Sequence, residues 1–165
     1  MRILAIETAT EACSIALFDQ GQLIDARHEV LGRGHAERLV PMIAELPEKG
    51  RADEIRVSLG PGSFTGVRIG LAVARALGIA WEARVRGYPT LALVAAMARD
   101  AGDGSVTACM TGGHGEWFVR DFTANGSPSG KVISLPPAQA AERPVQSVIA
   151  GSKAEELHAL LPPGS

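Results

Sequence analysis

Few residues in this sequence are of types and spacings that do chemistry. Glu7 closes the apolar run Ile3-Leu4-Ala5-Ile6, a strand end where phosphoryl-transfer enzymes place an acid that organises a metal ion and the attacking water. No second acid follows at a matching helical position, so Glu7 stands alone. His35 has Leu39 rather than a histidine one turn later, which removes the His-x-x-x-His pattern of a helical metal site and leaves capping or contact as its role. His114 lies in Thr111-Gly112-Gly113-His114-Gly115, whose glycines mark a tight turn and a surface position. Ser63 has no histidine that the sequence ties to it, so no Ser-His-Asp nucleophile is assembled. Cys13 and Cys109 are far apart and outside any CxxC pattern, and read as two buried structural thiols.

The densest cluster is Gly60-Pro61-Gly62-Ser63-Phe64-Thr65-Gly66. Between a strand and a helix, such a loop can hold an anion on free backbone N–H groups, here through Gly60, Gly62, Ser63 and Thr65. The spacing is neither a P-loop, since no Lys-Ser/Thr follows, nor GxGxxG. The plainer reading is that the glycines permit the turn and Ser63 or Thr65 caps the helix. Downstream, Gly66, Gly70, Ala74 and Gly78 recur every four residues and share one helical face with almost no side chains. Interior glycines each cost roughly 0.5–1 kcal/mol relative to alanine, so the stripe needs a packing reason. Either a neighbour in the same lobe or a helix of a partner would supply it.

The elements that position these residues follow from periodicity. Residues 3–8, 13–19 and 23–30 read as three consecutive strands, with Asp19-Gln20-Gly21-Gln22 turning between the last two. Ala36, Leu39, Val40, Ile43 and Leu46 have helical spacing, with Pro41 early in that helix or kinking it. A strand over 55–59, the glycine loop, a long helix from 67 to about 82, a short strand near Val85, and a helix over 91–99 capped by Thr90 complete the first part. Strands 106–110, 116–122 and 132–135, a small helix near Ala138, strand 145–150 and helix 153–161 then repeat the plan. A three-strand meander followed by alternating helix and strand is a mixed sheet covered by helices. Two copies give an α/β, duplicated ribonuclease-H-like fold, as in the actin, Hsp70 and sugar-kinase ATPases. The expected lobes are residues 1–104 and a shortened, incomplete copy over 105–165.

Composition limits the function. A chain of 165 residues that is 46% hydrophobic buries a real core, and its net charge of −2 supplies no general field for RNA phosphates. Aromatics at 4% offer no base-stacking surface. Glu7 breaks the N-terminal apolar run, which supports neither a signal peptide nor a membrane span there and makes the cytoplasm the expected compartment.

The stretch from Ser58 to Leu71 closely resembles the GPGSFTGxRIG signature of the TsaB (YeaZ) family. The opening from Ile3 to Ser14 resembles that family's first strand and turn, and His35-Ala36-Glu37-Arg38-Leu39 its HxERL helix start. Gly115-Glu116-Trp117-Phe118 resembles its GEVY hairpin more weakly, and the family's final YxRxPDA-like strand is not found. The resemblance implies a non-catalytic scaffold subunit in the synthesis of threonylcarbamoyladenosine in tRNA. It implies a TsaD-type catalytic subunit and a TsaE-type ATPase as partners, tRNA contact only through the complex, and a homodimer when alone. It requires no cofactor, although a nucleotide at the complex interface is compatible with it. Pairing in this family runs through the first two helices, which nominates His35, Leu39, Met42, Ile43, Gly66, Arg68, Ile69, Gly70, Val73 and Ala74 as the interface. The rival classes are an actin-type ATPase or kinase, a glycoprotease-like peptidase, and a self-associating structural protein.

Overall fold

The computed structural model describes residues 1–102 and 104–162. They form two units, Met1–Tyr88 and a second that starts at Pro89. In the first, strands β1 (Arg2–Glu7), β2 (Ala12–Asp19) and β3 (Gln22–Val30) form an antiparallel meander. Gln20 and Gly21 both take positive φ, the backbone of a two-residue hairpin turn whose twist matches the strands it joins. Helix α1 (His35–Glu45) then crosses to β4 (Glu54–Ser58), and α2 (Phe64–Trp81) crosses to β5 (Arg84–Tyr88). Both of these strands are parallel to β1, a pairing that requires crossover helices. The sheet order is β3-β2-β1-β4-β5. Leu4, Ile6, Ile15, Leu17, Ile55 and Val57 alternate onto one face, where Leu39, Met42 and Ile43 of α1 bury against them. Pro41 sits inside α1 on its solvent side, and the helix continues past it to Glu45.

The second unit holds α3 (Thr90–Asp100), β6 (Val106–Thr111), β7 (Trp117–Phe122), β8 (Pro128–Leu135), α4 (Pro137–Ala141), β9 (Val148–Ala150) and α5 (Ala154–Leu160). Its order, β8-β7-β6-β9, repeats the first sheet's plan: a meander, then a strand parallel to the first. The duplicated α/β, ribonuclease-H-like architecture expected from element order is therefore present, with four strands in the second sheet among the described residues. One face packs under α3 through Leu91 and Ala95, the other under α4 and α5 through Ala140 and Leu157.

The unit boundary differs from the expected residue 104. Leu91 and Ala95 bury against Val106, Ala108 and Phe122, so α3 belongs with the second sheet and the division falls after Tyr88. Thr90 is the first helical residue rather than the cap, which is Pro89, and its buried hydroxyl has no hydrogen-bond partner. Cys13 and Cys109 are both buried and unpaired, and burial pushes the Cys109 thiol up to about 11.

Candidate partner-binding face and the loop that seats it

The glycine-rich segment is shaped by the end of β1. Gly62 lies against Ala9, where an added Cβ would stand 2.1 Å from the Ala9 carbonyl oxygen. Ser63 N–H donates to that same oxygen at 2.7 Å. Gly66 meets the Thr8 carbonyl, with 2.0 Å left for a Cβ, and accepts a 2.7 Å hydrogen bond from the Thr8 hydroxyl on its own carbonyl. The stripe continues inward. A Cβ on Gly70 would stand 2.4 Å from Thr8 Oγ1, one on Gly78 2.5 Å from Val85 Cγ2, and Ala74 is fully buried. The face without side chains thus lets α2 settle onto its own sheet.

The same contacts engage the loop's donors. Ser63 caps α2 by accepting from Gly66 N–H at 3.1 Å, as expected of one of the two candidate caps. With the Ser63 amide on Ala9 O and the Gly66 amide on Ser63 Oγ, two N–H groups of the candidate anion loop are already paired within the chain. Gly60, at φ +82°, serves the turn.

Glu7 and His35 are likewise turned to internal work. Glu7 accepts from Ala9 N–H at 2.7 Å, and the Tyr88 hydroxyl reaches its other oxygen at 3.4 Å while donating to Ile6 O at 3.0 Å. Burial pushes the Glu7 carboxyl above its ordinary value of 4.5, with the hydrogen bond from Ala9 the largest opposing influence. The buried His35 ring donates from Nε2 to Thr10 O and Ala12 O, at 3.0 and 3.2 Å, and so ties α1 to the turn after β1. Arg38, from the same stretch, forks onto Glu29 of β3 and Glu45 of α1, which holds both carboxyls below the usual range. Among the described residues, no three His, Cys, Asp or Glu side chains group as metal ligands.

A native carboxyl with a raised pKa contributes its full stability below about 4.5, and that contribution is lost as pH rises through the native value. Glu7→Gln keeps an oxygen for Ala9 N–H and has no proton to lose. The variant is therefore expected to gain stability relative to the parent as pH rises above about 4.5, read from urea unfolding. A pH-independent difference would show that Glu7 ionises freely in the folded chain.

The expected interface is corrected accordingly. His35, Leu39, Met42, Ile43, Gly66, Gly70 and Ala74 are buried within the first unit and touch no solvent-facing surface. Ile69 and Val73 are half-buried at the edge of its core, and of the nominated residues only Arg68 is exposed. The surface that faces outward lies about 200° round α2 from the glycines, two residues on from Gly66, Gly70 and Ala74. It carries Phe64, Arg68, Ala72, Arg75, Ala76 and Ile79, with Phe64 74% and Ile79 83% exposed. Arg68 stacks over the Phe64 ring at 4.7 Å. On α1, which packs beside α2, Val40, Pro41 and Ala44 are also exposed. Sequence spacing defined the two arcs of α2, and the packing of the glycine stripe on its own sheet decides that the opposite arc faces out.

The model of the family described as TsaD, tRNA N6-adenosine threonylcarbamoyltransferase, matches residues 27–133. The tRNA threonylcarbamoyladenosine biosynthesis protein TsaB of Escherichia coli is 39% identical over 128 residues, covering 74% of this chain and 55% of that protein. The fold decides between these relatives: YeaZ from Pseudomonas aeruginosa superposes with a TM-score of 0.83 at 31% identity, over 98% of this chain and 80% of that one. The chain belongs to the TsaB (YeaZ) family. The TsaB of Haemophilus influenzae is 42% identical over 82 residues, 47% of this chain and 34% of that protein. The chain spans about half, or less, of the length of these curated TsaB relatives. The glycine-rich loop, the His35 turn and the Arg38 fork are thus the internal supports of a TsaB-type first unit.

Proposed function

We propose that this chain is a non-catalytic, partner-binding subunit in the synthesis of threonylcarbamoyladenosine in tRNA, and that it docks the outer face of α1 and α2 onto a TsaD-type catalytic subunit. One observation carries the reading. Helix α2 leaves Phe64 and Ile79 mostly exposed, with Ala72 and Ala76 exposed between them, while its other large apolar side chains pack at the edge of the core. An exposed apolar arc on one helix, with Arg68 and Arg75 breaking it, suits a protein interface better than bulk water. The engaged side chains of Glu7 and His35 support a role without catalysis, and no cofactor is needed for docking. A TsaE-type ATPase joins through the complex, tRNA is held chiefly by the assembly, and the compartment is the cytoplasm, where tRNA is modified.

Co-expression with the TsaD-type protein of the same organism is expected to yield a stable complex on size exclusion, and the chain alone a homodimer through the same face. A monomer that fails to bind the TsaD-type protein would refute the proposal.

A further inference from the structure

On the sheet of the first unit, β4 and β5 place four charged side chains on one face. The register sets Glu54 opposite Arg84 and Arg56 opposite Arg86. Neighbouring strands lie about 4.8 Å apart and alternate residues of one strand roughly 6.6 Å apart, so the three guanidinium groups converge around a single carboxylate. Glu54 is 3% exposed at its side chain, whereas the three arginines are 51 to 63% exposed. Arg56 meets Glu54 through Nε at 2.9 Å, Arg86 through Nε at 3.1 Å, and Arg84 through Nη2 at 3.7 Å. Arg84 Nη2 also reaches Met1 Sδ at 3.3 Å.

This geometry leaves both donors and charge unspent. Arg56 and Arg86 meet Glu54 through their inner nitrogens, and their terminal amino groups form no hydrogen bond among the described residues. Three guanidiniums against one carboxylate also leave a local charge of +2 on a chain whose overall charge is −2. Of the nearby acids, Glu48 pairs with the Arg2 side chain at 2.6 Å and Asp19 faces the N-terminal amine at 3.6 Å, while Asp53 accepts from the neutral Arg2 backbone N–H at 2.7 Å and so offsets at most one of the two charges. Arg56 holds the Glu54 carboxyl below the usual range, so it stays ionised as the common anchor.

We infer that Arg56, Arg84 and Arg86 form a contact site for the phosphodiester backbone of RNA. Guanidinium groups recognise phosphate by paired N–H donors, and three exposed heads gathered around one buried acid offer such donors side by side on one face of the sheet to a strand's backbone. RNA as the source of those phosphates rests on the function proposed above. The bland alternative is edge protection, since β5 is the outer strand of its sheet and charge there discourages strand pairing. Protection requires neither forks nor a buried acid to orient them.

The test is fluorescence anisotropy of an unmodified tRNA transcript with the full chain between about 50 and 200 mM salt. The parent is expected to bind weakly, with a dissociation constant of about 10⁻⁴–10⁻⁶ M and a marked salt dependence. Arg84→Gln/Arg86→Gln is expected to weaken binding about tenfold and to reduce the slope of log affinity against log salt by about two, one for each phosphate that the arginines no longer neutralise. Arg86→Gln alone, a milder change if the double variant loses its fold, should lower the slope by about one. Unchanged affinity and slope in the folded variants would overturn the inference, and so would displacement of the tRNA by inorganic phosphate or ATP at equal phosphate concentration. The same variants are carried through co-purification with the TsaD-type protein. Intact assembly with unaltered RNA binding removes only this inference, whereas failure of the parent to assemble removes the function on which it rests.

Discussion

Gly66→Ala is expected to lower the melting temperature of the first unit by about 10–20 °C, or to prevent its folding. The added methyl would stand 2.0 Å from the Thr8 carbonyl oxygen, where a carbon–oxygen contact needs roughly 3.3 Å. Backbone lies on both sides of the clash, so no rotamer change relieves it, and separating the two also breaks the hydrogen bond from Thr8 Oγ1 to Gly66 O. Overpacking of this kind costs about 1–3 kcal/mol or more, and near 3 kcal/mol in a unit of this size corresponds to a shift of that order. Gly70→Leu should act the same way through Thr8 and Val57. Gly102→Ala, whose methyl would meet nothing within 4 Å, is the matched control and should melt like the parent. Thermal unfolding of the three variants checks the assignment. A Gly66→Ala chain that melts normally and fails only to bind its partner would return the glycine stripe to the interface.

Phe64→Asp and Ile79→Arg carry the second large effect, and it falls on assembly rather than folding. Both side chains are mostly solvent-exposed, so each substitution should change stability by no more than about 0.5 kcal/mol. Phe64 opens α2, where an aspartate also complements the helix dipole. In a docked complex both positions would be desolvated apolar anchors, and Arg68 would lose the ring over which it stacks. Truncated or charged anchors of this type cost about 2 kcal/mol or more, a factor of about 30 in affinity for each. Titration calorimetry against the TsaD-type protein, with melting curves on the same samples, separates the two readings. Assembly of both variants at parental affinity would place the contact elsewhere.

Much of this fold is local and was therefore legible. The Gln20-Gly21 turn needs only its own φ angles, the buried strands declare themselves by Leu, Ile and Val, and the order of elements implies the duplication. The Gly60–Gly66 stretch identified the family because so many constrained positions fall together in one short segment. The limit lay in direction. Spacing showed that Gly66, Gly70, Ala74 and Gly78 share a face, but not whether that face meets a partner or its own sheet.

Tertiary structure decided this, because the surface that fills the glycine stripe is the carbonyl and hydroxyl of Thr8, brought there from 58 residues away by parallel strand pairing. Packing of α1 committed His35 to the Thr10 and Ala12 carbonyls, and the pairing of β4 with β5 drew Arg84 and Arg86 around Glu54, contacts that no periodicity within one element records. Sequence alone determined which elements form and which family they belong to, since local backbone preference and clustered glycines act over a few residues. Only the packed chain determined which side of each helix is inside, because that depends on what the sheet places opposite it.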